Sequence, residues 1–155
     1  MVTFEQKTVI QAPHARVFAI HSDVGGWKTW DPGIAEASLE GPFESGRKGR
    51  VKLTKGPIMD INIVEVKNSG WIAVESRVRF CRIRYEQNII PSGMETKVTC
   101  KVMLVGPLSS LYGSVMGQEI NLTLLRSLAS LKSFCESHRL GDRKQPNTPK
   151  KTSVK

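Results

Sequence analysis

Residues 71–105 read WIAVESRVRFCRIRYEQNIIPSGMETKVTCKVMLV, and the period of their side chains decides the fold. Ile72, Val74, Val78 and Phe80 alternate with Glu75, Arg77 and Arg79. Ile83, Tyr85 and Ile89 alternate with Arg82, Arg84 and Glu86, and Val98, Cys100, Val102 and Leu104 with Lys97 and Lys101. A two-residue period with one apolar side is a half-buried strand. Short turns join the three runs, so they predict antiparallel strands over 71–80, 82–90 and 95–105. A slip of one residue would bury the arginines, which specifies the register. The arginine rows can be read as a nucleic-acid patch or as the wet side of a one-sided sheet.

The same period extends towards the N-terminus. Strands are expected over 58–67, 49–54 and 34–40, with Lys55-Gly56-Pro57 and Ser45-Gly46 among the turns. The alternating run 4–11 is a first strand. Between it and the second, Pro13 followed by Ala15, Val17, Phe18 and Ala19 predicts a short helix, and a second short segment carries Trp27 and Trp30. Residues 41–48 hold two glycines and a lysine, but Arg47 and Lys48 stand where a phosphate-binding loop needs Lys and Ser or Thr, so this is a hairpin turn.

Beyond residue 107 the period changes. Tyr112, Met116, Ile120, Leu124, Leu128, Leu131 and Cys135 recur every three or four residues, which predicts one long helix over about 108–138. The expected class is α+β: a seven-stranded curved antiparallel sheet wrapped on a long C-terminal helix, with two short helices between strands one and two. Such a sheet cannot fill its interior with one helix, so an apolar pocket between sheet and helix is expected. Gly113 and Gly117 are read as leaving space on its side.

The chain has 155 residues, enough for a single domain, taken as 1–139, with 140–155 as a disordered basic tail. Lys and Arg number 23 against 14 Asp and Glu, a net charge of +9. Residues 139–155 carry six of those cations and one acid, so nucleic acid or an acidic membrane surface is a weak partner candidate through that segment alone. Cys81, Cys100 and Cys135 are odd in number and lack metal-ligand spacing, so neither a disulfide framework nor a metal is expected. No apolar run reaches the length of a membrane span, and the first residues hold Glu5 and Lys7, unlike a signal peptide. The expected compartment is the cytoplasm.

At this point the motifs resemble a known family. Residues 23–33, DVGGWKTWDPG, are similar to the "D…W..W.P" segment of the polyketide cyclase/dehydrase and lipid-transport family of the START/Bet v 1-like (SRPBCC) superfamily. Ala12-Pro13 with Val17-Phe18 resembles its "AP…VF" start of the first helix. Gly46 and Gly49 resemble its "G..G" turn, Thr96 to Thr99 its "T.v." strand, and Gly106-Pro107-Leu108 the lead into its last helix. The closing "L..L..L" stretch resembles Leu125 to Leu131. The resemblance covers about residues 2–138. It implies the helix-grip fold, and a role as lipid carrier, receptor, cyclase or hydroxylase partner.

The expected function is binding or transport of a small hydrophobic ligand, with no cofactor. The pocket candidates are Trp27, Trp30, Phe43, Ile61, Val74, Tyr85, Tyr112, Met116 and Ile120. Trp27 and Trp30 can wall a pocket and orient a ligand, or serve as core with Asp31 capping the turn. A cyclase or aromatase-like enzyme is the alternative. Its acid/base candidates are Asp60 and Glu119 first, then His21, Asp31 and Glu75, since a carboxylate buried in an apolar pocket has a raised pKa. A third alternative is an interaction module docking through the basic tail.

Overall fold

The computed structural model describes the backbone of residues 1–144 and the side chains of residues 1–137. The chain begins with β1 (Val2–Ile10), α1 (His14–Ser22), a 3-10 turn (Val24–Gly26) and α2 (Trp27–Trp30). Six strands follow: β2 (Ile34–Leu39), β3 (Lys48–Leu53), β4 (Ile58–Lys67), β5 (Trp71–Val78), β6 (Cys81–Ser92) and β7 (Glu95–Val105). The last element is α3 (Ser109–Lys144). The sheet order is β1-β7-β6-β5-β4-β3-β2 with every pair antiparallel. Sequential hairpins join β2 through to β7, and β1 closes onto β7 at the far edge. This is the seven-stranded antiparallel sheet with a long C-terminal helix expected from the periodicity, and the helix-grip arrangement that the family resemblance implies.

One face of the sheet is dry. Ile63, Ile72, Ile89, Val98 and Cys100 are buried on it. The other face pairs its charges. Arg84 reaches Glu75 through Nη1 at 3.0 Å and Glu86 through Nε at 2.7 Å. The arginine rows are therefore interleaved with acids, as a solvated face requires. Register shifts at Ile34/Glu36 in β2 and Ile63/Glu65 in β4 insert bulges, which bend and twist that half of the sheet.

Several boundaries differ from the sequence reading. β5 ends at Val78, because Val78 pairs with Cys81 and leaves Arg79-Phe80 as a two-residue turn. Phe80 adopts a left-handed φ of 58° there and is exposed, not part of the dry face. β6 runs through Pro91 to Ser92, and the turn to β7 is Gly93-Met94. α3 continues to Lys144, past the end of its apolar stripe. The remaining basic tail, residues 145–155, lies outside the described residues. No helix among the described residues is long and apolar enough to cross a membrane.

α3 packs mainly on β1 and β7, with further contacts to α1 and α2. Leu124, Leu128, Leu131 and Cys135 form its buried stripe. Gly113 and Gly117 do not border a cavity, as the sequence reading had them. A Cβ on Gly113 would stand 3.0 Å from Val2 Cγ1, and one on Gly117 3.3 Å from the Phe4 ring. The two glycines let the helix lie close against β1.

The turns supply a test of the hairpin geometry. Gly70, with φ of 122°, would bring a Cβ within 1.9 Å of the Ile89 carbonyl oxygen. Gly93, with φ of 64°, has open space around it. Gly70→Ala should lower stability by more than about 2 kcal/mol and Gly93→Ala by about 1 kcal/mol. Urea unfolding of both variants checks the order.

Candidate functional site

The curved sheet and α3 diverge on the β3–β6 side, and a partly enclosed cavity of about 210 Å³ remains between them. Val51 and Leu53 of β3, Met59 and Ile61 of β4, Val74 of β5, and Ile83 and Tyr85 of β6 form its floor. Thr123, Leu124 and Ser127 of α3 form the roof, and His21, Trp27, Trp30 and Asp31 the end wall.

The end wall is assembled by short-range contacts. The 3-10 turn brings α2 back against the end of α1, where Trp27 Nε1 donates to the His21 carbonyl at 2.8 Å. The His21 ring then lies 5.7 Å from the Trp30 ring and 6.1 Å from that of Trp27, centroid to centroid. Asp31 ends α2 and faces two ways. Its Oδ1 accepts from the Gly33 amide at 2.9 Å, closing the turn. Its Oδ2 accepts from Ser127 Oγ at 2.9 Å, tying that turn to α3.

Burial sets the charge state of each polar group. The His21 imidazole is lowered to about 3 by desolvation, so it is neutral at pH 7, and its Nδ1 has no hydrogen-bond partner among the described residues. The Trp30 indole nitrogen is likewise buried without a partner among them. Burial raises Asp31, against the opposing hydrogen bonds from Gly33 and Ser127. Tyr85 is raised well above its ordinary value by burial; its hydroxyl accepts from Gln87 Nε2 at 2.6 Å and lies 3.6 Å from Cys100 Sγ. Burial pushes the Cys100 thiol up to about 12. Among the described residues no Lys or Arg lines the cavity, and Glu75, at its edge, is engaged by Arg84. The space thus suits a neutral, mostly apolar guest with one or two hydrogen-bonding atoms. Its volume exceeds the roughly 150 Å³ that holds a benzene and falls short of the about 300 Å³ at which drug-sized pockets begin.

Of the residues singled out from the sequence, the pocket candidates Trp27, Trp30, Ile61, Val74 and Tyr85 and the acid/base candidates His21, Asp31 and Glu75 line this cavity. Asp60, Glu119, Phe43, Tyr112, Met116 and Ile120 do not. Asp60 faces outward, opposite Arg50 in the β3–β4 pair, and accepts from its Nε at 3.1 Å. Glu119 is exposed on the outer side of α3. Tyr112 donates to the Arg79 carbonyl at 3.2 Å and so pins the β5–β6 turn. Met116 is largely exposed, while Ile120 and Phe43 pack against the core without lining the cavity. Thr123 and Ser127 were missed because a search for an apolar stripe passes over hydroxyl residues. Their signal was the spacing of four that places both beside Leu124.

Residues 1–133 match the model of the family described as polyketide cyclase / dehydrase and lipid transport. Comparison with curated protein sequences gives no match. Among solved structures the chain is similar to a protein of Thermus thermophilus, at 14% identity and a TM-score of 0.71, over 88% of this chain and 99% of that one. It is similar to the ZhuI aromatase/cyclase of Streptomyces sp. R1128, at 12% identity and a TM-score of 0.71, over 87% and 93%. It is also similar to norcoclaurine synthase of Thalictrum flavum, at 13% identity and a TM-score of 0.65, over 89% and 96%. At these identities the likeness is one of fold.

The buried imidazole makes stability depend on pH. Unfolded, His21 takes a proton below about pH 6.5; folded, it resists until about 3. The unfolded state therefore binds more protons in that window, and stability falls as pH falls through it, by at most about 1.4 kcal/mol per pH unit. His21→Gln should flatten the fall between about pH 6.5 and 4.5, read as urea midpoints of variant and parent.

Proposed function

The chain belongs to the polyketide cyclase / dehydrase and lipid transport family, and on that footing we propose that it binds a small, neutral, hydrophobic ligand of one or two rings in the cavity beneath α3. The observation that carries this reading is the apolar lining from Val51 to Leu124, closed at one end by the two indoles, the neutral His21 ring and the hydrogen-bonded Asp31. Apolar contact supplies the binding energy. A guest burying about 200 Å² of apolar surface gains about 5 kcal/mol before the costs of immobilisation. Trp30, Asp31 and Tyr85 give the guest its orientation. Anions are disfavoured, because no Lys or Arg among the described residues faces the space to offset their desolvation.

A second reading, proton-transfer catalysis of the cyclase type, draws support from His21 and Asp31 standing in one cavity with pKa values shifted in opposite senses. The Asp31 carboxylate, made more basic by burial, would accept a proton from an enolisable carbon, and the Tyr85 hydroxyl would donate to the carbonyl oxygen.

Calorimetric titration with 2-naphthol and with 2-naphthoate tests the first reading. The neutral compound should bind at least about ten-fold more tightly than the anion. Val74→Phe combined with Ile61→Phe fills the cavity and should abolish binding with an unchanged circular dichroism spectrum. Flat titrations across neutral ring compounds, or full affinity in the filled variant, would overturn it. The catalytic reading predicts that the protein accelerates deuterium exchange at the α-carbon of a bound 1,3-diketone, with Asp31→Asn binding the compound and losing the exchange. Equal exchange rates with and without protein would remove it.

A further inference from the structure

The side of α3 turned away from the sheet carries a second apolar row that the core does not use. Leu111 is 57% exposed, Val115 75%, Leu122 44% and Leu125 47%, and exposed Gln118 and Ala129 complete the row. Successive positions are separated alternately by four and three residues, the seam period of a two-helix coiled coil. At 1.5 Å per residue the row is about 27 Å long. Scattered exposed apolar side chains are ordinary, but a contiguous row along one helix face marks an interaction surface.

The charges on this helix say what covers it. Between residues 109 and 131 only Glu119 and Arg126 are charged. Both are exposed, and among the described residues neither forms an ion pair. Each directly follows a seam position, Gln118 and Leu125, so both flank the row on the same side. A copy of the helix turned end for end about residue 120 matches the row completely. Leu111 meets the partner's Ala129, Val115 meets the partner's Leu125, and Gln118 meets the partner's Leu122. Glu119 then shares a flank with the partner's Arg126, five positions away along the axis, and because helical side chains lean towards their own N-termini the two lean towards each other, as do Arg126 and the partner's Glu119. In a parallel pair these two residues would lie on opposite flanks.

We propose that this seam packs antiparallel against the same seam of a second copy of the chain, giving a two-fold dimer. The contact is isologous, so one self-complementary patch suffices. A lipid surface fits less well, because the face is neutral and lacks the Lys and Arg that draw amphipathic helices to anionic bilayers.

Sedimentation velocity of the full chain over a concentration series is the test. The parent should sediment as a dimer that dissociates on dilution, and Val115→Glu as a monomer with an unchanged circular dichroism spectrum. Glu119→Arg or Arg126→Glu alone places like charges together twice per dimer and should raise the dimer Kd about ten-fold. The two together should restore it to within about three-fold. A parent that stays monomeric up to about 0.5 mM overturns the proposal. So does a dimer indifferent to Val115→Glu, or a double reversal weaker than either single one. Binding of a monomeric parent to phosphatidylglycerol vesicles, lost in Val115→Glu, would assign the face to lipid instead and equally overturn it.

Discussion

The close seating of α3 on β1 is the contact from which the rest of the architecture follows. Gly113 against Val2 and Gly117 against Phe4 remove the side chains that would hold the helix off the sheet. A straight rod laid close along one side of a twisted, curved sheet must part from the other side. The bulges in β2 and β4 bend that other side further. The gap that results is not a packing accident of a few atoms. Its lining is almost wholly apolar and partly open to solvent, so that surface stays in contact with water at about 25 cal/mol for each Å², and it is this surface that the proposed ligand would cover.

The same division of the sheet sets its electrostatics. On the outer face charges sit in water and meet opposite charges, as Arg84 does with Glu75 and Glu86. On the inner face desolvation works against every ionised form, so His21, Tyr85 and Cys100 are held neutral at pH 7. Asp31 is the exception that joins the two regimes. It is raised by burial, yet it holds two hydrogen bonds that favour its charged form. Those bonds close the turn after α2 and tie it to α3, so the group of greatest chemical interest in the cavity is also one that shapes its wall.

The succession of strands and helices along the chain and the dry face were legible in the sequence, because a two-residue period and a 3.6-residue period leave distinct marks, whereas the pairing of β1 with β7 leaves none. The errors have equally plain causes. Asp60 and Ile61 are neighbours in one strand, so they cannot both face inward; placing Ile61 in the pocket already sent Asp60 to solvent. The helix stripe was traced back from Leu124 in steps of four. Each such step overshoots a full turn by about 40°, so Ile120, Met116 and Tyr112 rotate progressively off the core-facing line. That drift also hid the outer row, since apolar residues on two faces of one helix blur any single stripe. What the sequence lacked was distance. Asp31 and Ser127 stand 96 positions apart, and nothing in either neighbourhood announces that they bond.

α3 is not held evenly along its length. Lys132 Nζ donates to the Val9 carbonyl at 2.7 Å, and the Gln11 amide to Glu136 Oε2 at 2.8 Å. With Ser127 on Asp31, these polar anchors all lie in the C-terminal half, beside the buried Leu128, Leu131 and Cys135. The N-terminal half rests on the Val2 and Phe4 contacts, with Gln6 and Asn121 bonding at an exposed 3.2 Å and Tyr112 bonding the β5–β6 turn. Thr123, the exposed residue of the cavity roof, lies just before the anchored segment. The roof, from Thr123 to Ser127, lies where these two kinds of anchorage meet, so one helix is seated on the sheet by apolar contact and fixed over the hollow by hydrogen bonds.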